Sequence, residues 1–190
     1  MYNEFLTAVG QFPNVLTPAE CQWLIDLPLD FAEAAVEFRA DSPTSQSESR
    51  VDYGVRRTRI KSIPPTPDTL WIFQRLTGLV QKVNQATFHF QLDGQLSVDV
   101  LGYDPDGYFD WHVDIGPGIF ATRKLSMVTF LTPPEAYEGG NLCFMDKGEP
   151  LRPPLGTTAI FPSYMLHKVE PVTRGTRYTL VSWAHGPSFT

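Results

Sequence analysis

Leu96-Ser97-Val98-Asp99-Val100-Leu101-Gly102-Tyr103, then Asp104-Pro105-Asp106-Gly107, then Tyr108-Phe109-Asp110-Trp111-His112-Val113-Asp114 is the stretch on which the fold turns. Two runs of β-branched, aromatic and alternating residues flank a Pro/Asp/Gly cluster, which reads as strand, turn, strand. Toward the C-terminus the pattern repeats. Short strands are expected near Lys124–Thr132, Gly140–Asp146, Gly156–Phe161, His167–Val172 and Thr176–Ala184. Pro117-Gly118, Pro133-Pro134, Gly139-Gly140, Pro153-Pro154 and Arg174-Gly175 divide them. Many short strands at such spacing form a sandwich or barrel.

Toward the N-terminus the period changes. Asp93-Gly94 reads as a turn, and Phe88–Leu92 alternates like a strand. Before it, Thr66-Pro67 opens a helix with a stripe of Leu70, Ile72, Phe73, Leu76, Leu79, Val80 and Val83 at helical spacing. Val51–Ser62 reads as a strand, Ala40–Arg50 as a mobile loop, and Asp30–Phe38 as a short helix. Thr17-Pro18-Ala19-Glu20 is a capping box with Pro at the first helical position. The expected class is α+β: a double-stranded β-helix (jelly roll) core with N-terminal supporting helices. A single domain, 1–190, is expected, with 1–95 supplying helices and first strands and 96–185 the jelly-roll core.

Composition is that of an ordinary globular chain: 190 residues, 42% hydrophobic, 19% charged. A net charge of −6 argues against a general nucleic-acid binder. Cys21 and Cys143 share no metal-type spacing and read as reduced, packed residues. The N-terminal residues lack a signal-peptide pattern, and no apolar run approaches the roughly 20 residues of a membrane span. The expectation is a cytoplasmic, soluble protein.

The chemistry sits at the end of the opening stretch. Residues two apart on a strand face the same side, so His112 and Asp114 project together while Val113 points into packing. His167, in Phe161-Pro162-Ser163-Tyr164-Met165-Leu166-His167, must arrive from a neighbouring strand. Two His and one carboxylate form the donor set that holds a non-haem Fe(II) on one face and leaves other positions open. A lone His-x-Asp is a weak signal; the distal His and an Arg ten residues beyond it raise its specificity. Arg177 shares an alternating face with Thr179, Val181 and Trp183, which looks inward, and a buried Arg needs an anionic partner. His89, between two Phe on a supposed strand, reads as structural, and His185 carries no assigned role.

From about Leu96 to Trp183 the chain resembles the prolyl-4-hydroxylase-like, PKHD-type branch of the Fe(II)/2-oxoglutarate-dependent dioxygenases. The matching pieces are Tyr103-Asp104-Pro105-Asp106-Gly107-Tyr108, Arg123-Lys124-Leu125-Ser126 with Thr129-Phe130-Leu131, Tyr137-Glu138-Gly139-Gly140-Asn141-Leu142, and His167 through Arg177. The resemblance implies His112, Asp114 and His167 as iron ligands and Arg177 as partner of the distal carboxylate of 2-oxoglutarate. It implies Tyr103 and Thr179 as further cosubstrate contacts, and Arg123 and Trp183 as residues facing the substrate. Phe130 stands where some relatives carry a cosubstrate-binding Tyr, leaving Thr129 or Thr179 to supply the hydroxyl. The implied cofactors are Fe(II), 2-oxoglutarate and O2, with ascorbate a candidate addition.

The implied reaction hydroxylates an unactivated C–H and releases succinate and CO2. Asp114 argues against a halogenase, in which a small residue would replace that carboxylate. The favoured substrate is an amino-acid, peptidyl or protein side chain. A small-molecule tailoring oxygenase and a catalytically silent jelly-roll binding domain are the alternatives. A nucleic-acid substrate would have to use Arg56, Arg57, Arg59 and Lys61, which read instead as solvated cations. Ala40–Lys61 is expected to flank the site mouth as a lid. Oligomeric state is open.

Overall fold

The computed structural model describes residues 5–38, 48–145 and 148–188. In chain order the elements are β1 (Gly10–Phe12), α1 (Pro18–Asp26), β2 (Ala32–Glu33), β3 (Val36–Phe38), β4 (Glu48–Arg50), β5 (Arg56–Arg57), β6 (Arg59–Ser62) and α2 (Leu70–Val83). They continue with β7 (Leu96–Tyr103), β8 (Tyr108–His112), β9 (Arg123–Phe130), β10 (Glu138–Gly139), β11 (Leu142–Phe144), β12 (Thr158–Pro162), β13 (His167–Val169), β14 (Val172–Arg174) and β15 (Arg177–His185).

Two antiparallel sheets carry the architecture. The larger runs β1-β12-β9-β15-β7-β6-β2, the smaller β11-β13-β8-β5. Period-2 alternation divides the larger sheet between two cores. One face, with Val98, Val100, Leu125, Met127, Ile160 and Leu180, packs on Leu24 of α1 and Ile72, Leu76, Val80 and Val83 of α2. The other, with Leu101, Tyr103, Val128, Phe130, Phe161 and Val181, packs on Leu142, Phe144 and Val169 of the smaller sheet. This is the α+β jelly roll expected from the sequence, its helices backing the larger sheet.

The N-terminal signals act locally as expected. The Thr17 side chain accepts from the Glu20 N–H and the Glu20 carboxylate accepts from the Thr17 N–H, closing the capping box. Lys61, buried on β6, donates to the carbonyls of Ile25 and Leu27 at 2.7 and 3.0 Å, which satisfies the C-terminal end of α1. The α2 stripe falls where the periodicity put it.

Four expectations fail. Residues 30–38 form no helix: Ala32–Glu33 pairs with Ile60 and Arg59, and Val36–Phe38 pairs with Glu48–Arg50. Phe88–Leu92 is not a strand. A π-turn over Asn84–Phe88 extends α2, His89 takes a left-handed φ of 58°, and the Asn84 side chain satisfies both backbone groups of Phe90. With those groups taken by a side chain, the segment has nothing to offer a ladder. His89 is consequently exposed rather than a packed strand histidine. Residues 51–62 are not one strand but a turn followed by β5 and β6, which join different sheets. The expected mobile loop is a strand at 48–50, and its residues 40–47 lie outside the described ones. Among the described residues no helix is long and apolar enough to cross a membrane.

Candidate active site

Between the two sheets lies a cavity of about 1010 Å³ lined by residues of both. Antiparallel register assembles its contents. The last residue of β8, His112, pairs directly with the first of β13, His167, so the imidazole centroids lie 4.2 Å apart. Asp114 falls just beyond β8, where its backbone N–H donates to the Ser163 carbonyl at 2.8 Å. One donor atom from each of the three residues lies within 4.8 Å of the others. Each imidazole Nδ1 faces a backbone carbonyl, Asp110 for His112 at 2.7 Å and Met165 for His167 at 2.9 Å. A carbonyl only accepts, so Nδ1 carries the proton and Nε2 is left with its lone pair toward Asp114. That is the tautomer a metal ligand needs, fixed by its outer hydrogen bond.

The electrostatics agree. Burial, then the neighbouring His167, lowers the His112 pKa and keeps that ring neutral. Burial pushes the Asp114 carboxyl up, but the positive charge of Arg123 and the hydrogen bond from the Ser126 hydroxyl act against it, and the net shift is downward. Ser126 Oγ donates to Asp114 Oδ2 at 2.6 Å and lies 2.9 Å from Ser163 Oγ, forming a buried hydroxyl relay behind the carboxylate. Phe161 packs edge-on against the His167 ring, and Phe109 stacks on His112 with centroids 3.4 Å apart. Val113 departs from expectation: it is 39% exposed and lines the cavity rather than packing away from it, because β8 has ended and strict alternation no longer applies.

The larger sheet supplies the opposite wall. Arg177 pairs with Tyr103, Thr179 with Leu101 and Phe130, Val181 with Asp99 and Val128, and Trp183 with Ser97 and Ser126. Arg177 is 1% exposed, yet none of its three guanidinium nitrogens has a hydrogen-bond partner, and Thr179 Oγ1 is equally unpartnered. The rings of Tyr103 and Phe130, 5.0 and 5.3 Å from the guanidinium carbon, are its neighbours. A buried cation with every donor unmatched fits a bound dicarboxylate, since leaving it unpaired is costly. Gly140 makes room for it: a Cβ there would meet Arg177 Cδ at 2.9 Å, and φ is +62°. Of the two hydroxyls considered beside Phe130, Thr129 is tied to Thr158 at 2.7 Å on the opposite face, whereas Thr179 faces the cavity.

Arg123 stacks over Trp183 at 3.7 Å and donates to the Asp114 carbonyl at 3.3 Å. Simple alternation would put Arg123 on the helix side with Leu125. A bulge where the β15–β9 register shifts between Ala184 and His185 turns it into the cavity. Burial, partly offset by Asp114 and Asp99, brings its pKa down to about 10. His185 holds that corner, buried between Ser97 Oγ at 2.7 Å and Thr122 Oγ1 at 2.8 Å.

The supposed solvated cations are not one patch. Arg59 pairs with Asp104 through two bonds of 2.7 and 3.0 Å, Lys61 caps α1, and Arg57 lies 3.8 Å from Asp106. Arg56 enters the cavity, its guanidinium 4.5 Å from the Phe109 ring centroid. Residues 35, 36, 49, 55 and 60 line the same mouth, so part of the expected lid segment does border the site. Sequence reasoning missed Arg56, Ser126 and His185. Ser126, a hydroxyl inside the run Leu125-Ser126-Met127, was the detectable signal; the other two depend on long-range pairing.

A hydrophobic jelly roll holding a His-Asp-His cluster opposite an unpaired buried Arg defines a class, and the comparisons agree with it. A model of the 2OG-Fe(II) oxygenase superfamily matches residues 98–185. A PKHD-type hydroxylase of Methylobacterium nodulans is 30% identical over 184 residues, covering 90% of this chain and 75% of that protein. One from Hyphomonas neptunium is 46% identical over 78 residues, 38% of this chain and 35% of that protein. Among solved structures, a Pseudomonas putida prolyl-4-hydroxylase superposes with a TM-score of 0.69 at 20% identity, covering 96% of this chain and 94% of that one. A Trichoplax adhaerens prolyl hydroxylase, in complex with a hypoxia inducible factor peptide fragment, gives 0.70 at 16% identity, covering 94% and 84%. The chain belongs to the 2OG-Fe(II) oxygenase superfamily. Within it the chain is a 2-oxoglutarate-dependent hydroxylase of the PKHD type, using Fe(II), 2-oxoglutarate and O2.

Proposed function

We propose that the chain, acting as one catalytic domain, hydroxylates an unactivated C–H of an amino-acid, peptidyl or protein side chain. The observation that carries this reading is the convergence, in one cavity, of three metal donors and a buried guanidinium with no partner of its own. His112, Asp114 and His167 are the residues that would hold Fe(II), and Arg177 with Thr179 those that would hold the distal carboxylate of 2-oxoglutarate, against Tyr103. When bound, Fe(II) and 2-oxoglutarate supply O2 activation, with succinate and CO2 as coproducts.

The chain's own residues do the rest. The carbonyls of Asp110 and Met165 orient the imidazoles, and Ser126 orients the Asp114 carboxylate. Leu101, Val128, Val169 and Val181 give the cavity an apolar wall that excludes water and strengthens each charged contact inside it. Arg123 and Trp183, stacked on one another in the cavity wall, are the residues that would meet the substrate. A peptide-bound relative, the Trichoplax enzyme, supports a peptide or small-molecule substrate.

The test is to supply Fe(II), 2-oxoglutarate and air with free amino acids and proline-containing peptides, following succinate release and gain of one oxygen atom by mass spectrometry. Product formation that vanishes in Asp114→Ala supports the reading. Stoichiometric absence of succinate with every candidate, from protein that binds both Fe(II) and 2-oxoglutarate, would favour a binding domain instead.

A further inference from the structure

Two arginines in the cavity are left over once the cosubstrate is accommodated. Arg56 arrives from the smaller sheet, where it pairs with Phe109, and its guanidinium lies 4.5 Å from the centroid of that ring, which also stacks on His112. Arg123 arrives from the larger sheet, sandwiched between Trp183 at 3.7 Å and Phe120 at 4.4 Å. The Nε atoms of both are sealed from solvent and have no hydrogen-bond partner. Among the described residues neither arginine forms an ion pair; the sole hydrogen bond from either is that of Arg123 to the Asp114 carbonyl. Asp99, the remaining carboxylate of the cavity, accepts from Ser62 at 2.6 Å and forms an ion pair with neither guanidinium, although both feel its charge.

Charge balance points the same way. The charged side chains lining the cavity are Arg56, Arg123, Arg177, Asp99 and Asp114. Fe(II) and the 2-oxoglutarate dianion cancel, so the loaded site keeps one positive charge that water-excluding walls make costly to leave uncompensated. Guanidinium forks bind carboxylates through paired N–H donors, and aromatic stacking holds each fork in place without consuming those donors.

We infer that Arg56 and Arg123 form a carboxylate-binding subsite for the substrate, so that the hydroxylated C–H belongs to a molecule presenting a free carboxylate. This rests on the proposed function and narrows it. The carboxylate can come from a free amino acid or from a peptide bearing a free acid. A peptide segment whose carboxyl groups are all amide-bound lacks the group these two arginines await.

The experiment uses full-length chain loaded with Mn(II) and saturating 2-oxoglutarate, and reads binding by calorimetry rather than turnover. The probes are acetate against acetamide, then L-alanine and acetyl-Gly-Ala, each as the acid and as the C-terminal amide. The expected result is saturable binding of acids with little binding of amides, and about 10- to 100-fold weaker acid binding in Arg56→Gln. Should that variant not fold, Arg56→Lys, which keeps the charge but loses the fork, is expected to show an intermediate loss. Tighter binding of alanine or of the peptide acid tells which source the site prefers. Amides binding as tightly as acids, or acetate binding unchanged in the Arg56 variants, overturns the subsite. Failure to bind Mn(II) and 2-oxoglutarate at the outset overturns the active-site reading itself, and the subsite with it.

Discussion

Replacing Arg177 with Met separates stability from cosubstrate binding with opposite signs. Arg177 is a buried charge whose three nitrogens have no hydrogen-bond partner in the protein, at 1% exposure. Unsatisfied buried donors cost about 1–3 kcal/mol, more when charged. The Tyr103 and Phe130 rings, near 5 Å, return about 1–2 kcal/mol as cation–π contacts. Methionine fills much of the same volume with no charge to desolvate, so a net gain of about 1–2 kcal/mol is expected. For a chain of this size that raises Tm by about 2–8 °C. Binding of 2-oxoglutarate moves the other way. Loss of a bidentate, charge-assisted pair, about 3–4 kcal/mol, weakens affinity by about 100- to 1000-fold. Differential scanning calorimetry of the metal-free protein and titration of 2-oxoglutarate into the Mn(II) form measure the two halves. A variant that melts several degrees lower and binds 2-oxoglutarate normally would show instead that Arg177 is a structural cation with a partner.

Two further outcomes follow from the site's supports. Ser126→Ala removes the 2.6 Å hydroxyl bond that holds Asp114 and is expected to weaken Mn(II) or Fe(II) binding by about 10- to 100-fold, with far-UV dichroism retained. Unchanged metal affinity would show that the Ser163 backbone alone positions the carboxylate. His185 has its pKa lowered, by burial first and then by Arg123, so its folded form resists protonation. Its contribution is therefore full above the unfolded value of about 6.5 and declines as pH falls below it, by at most about 1.4 kcal/mol per pH unit. His185→Gln keeps a partner for Ser97 and Thr122 and should flatten the loss of stability between pH 7.5 and 5.5; an identical pH profile would exclude His185 as a source.

Much of the site was legible because period 2 is a strong constraint. Once β15 is a strand with a buried face, Arg177, Thr179, Val181 and Trp183 must share that face, and they do. His112 and Asp114 came together as read, although Asp114 lies past the strand end and Val113 consequently faces the cavity. What was not legible depends on partners distant in sequence. Residues 30–38 are rich in Ala, Glu and Phe and look helical, but edge pairing with β6 overrides that local preference. The alternation at Phe88–Leu92 was genuine but found no strand to pair with, since Asn84 had already claimed Phe90. Arg56 reads as one of four solvated cations; only its pairing with Phe109 in β8 sends it into the cavity while its neighbours cap a helix or meet Asp104. Arg123 owes its direction to a bulge that no local signal announced.

If His112, Asp114 and His167 hold Fe(II) while Arg177 receives 2-oxoglutarate, the loaded site has a spectroscopic signature. Anaerobic visible spectroscopy of the purified chain with Fe(II) and 2-oxoglutarate tests it most directly. The expected result is a weak metal-to-ligand charge-transfer band that is absent in His112→Ala and in His167→Ala. No band in the unaltered protein, with no change in its stability on adding either component, would contradict it.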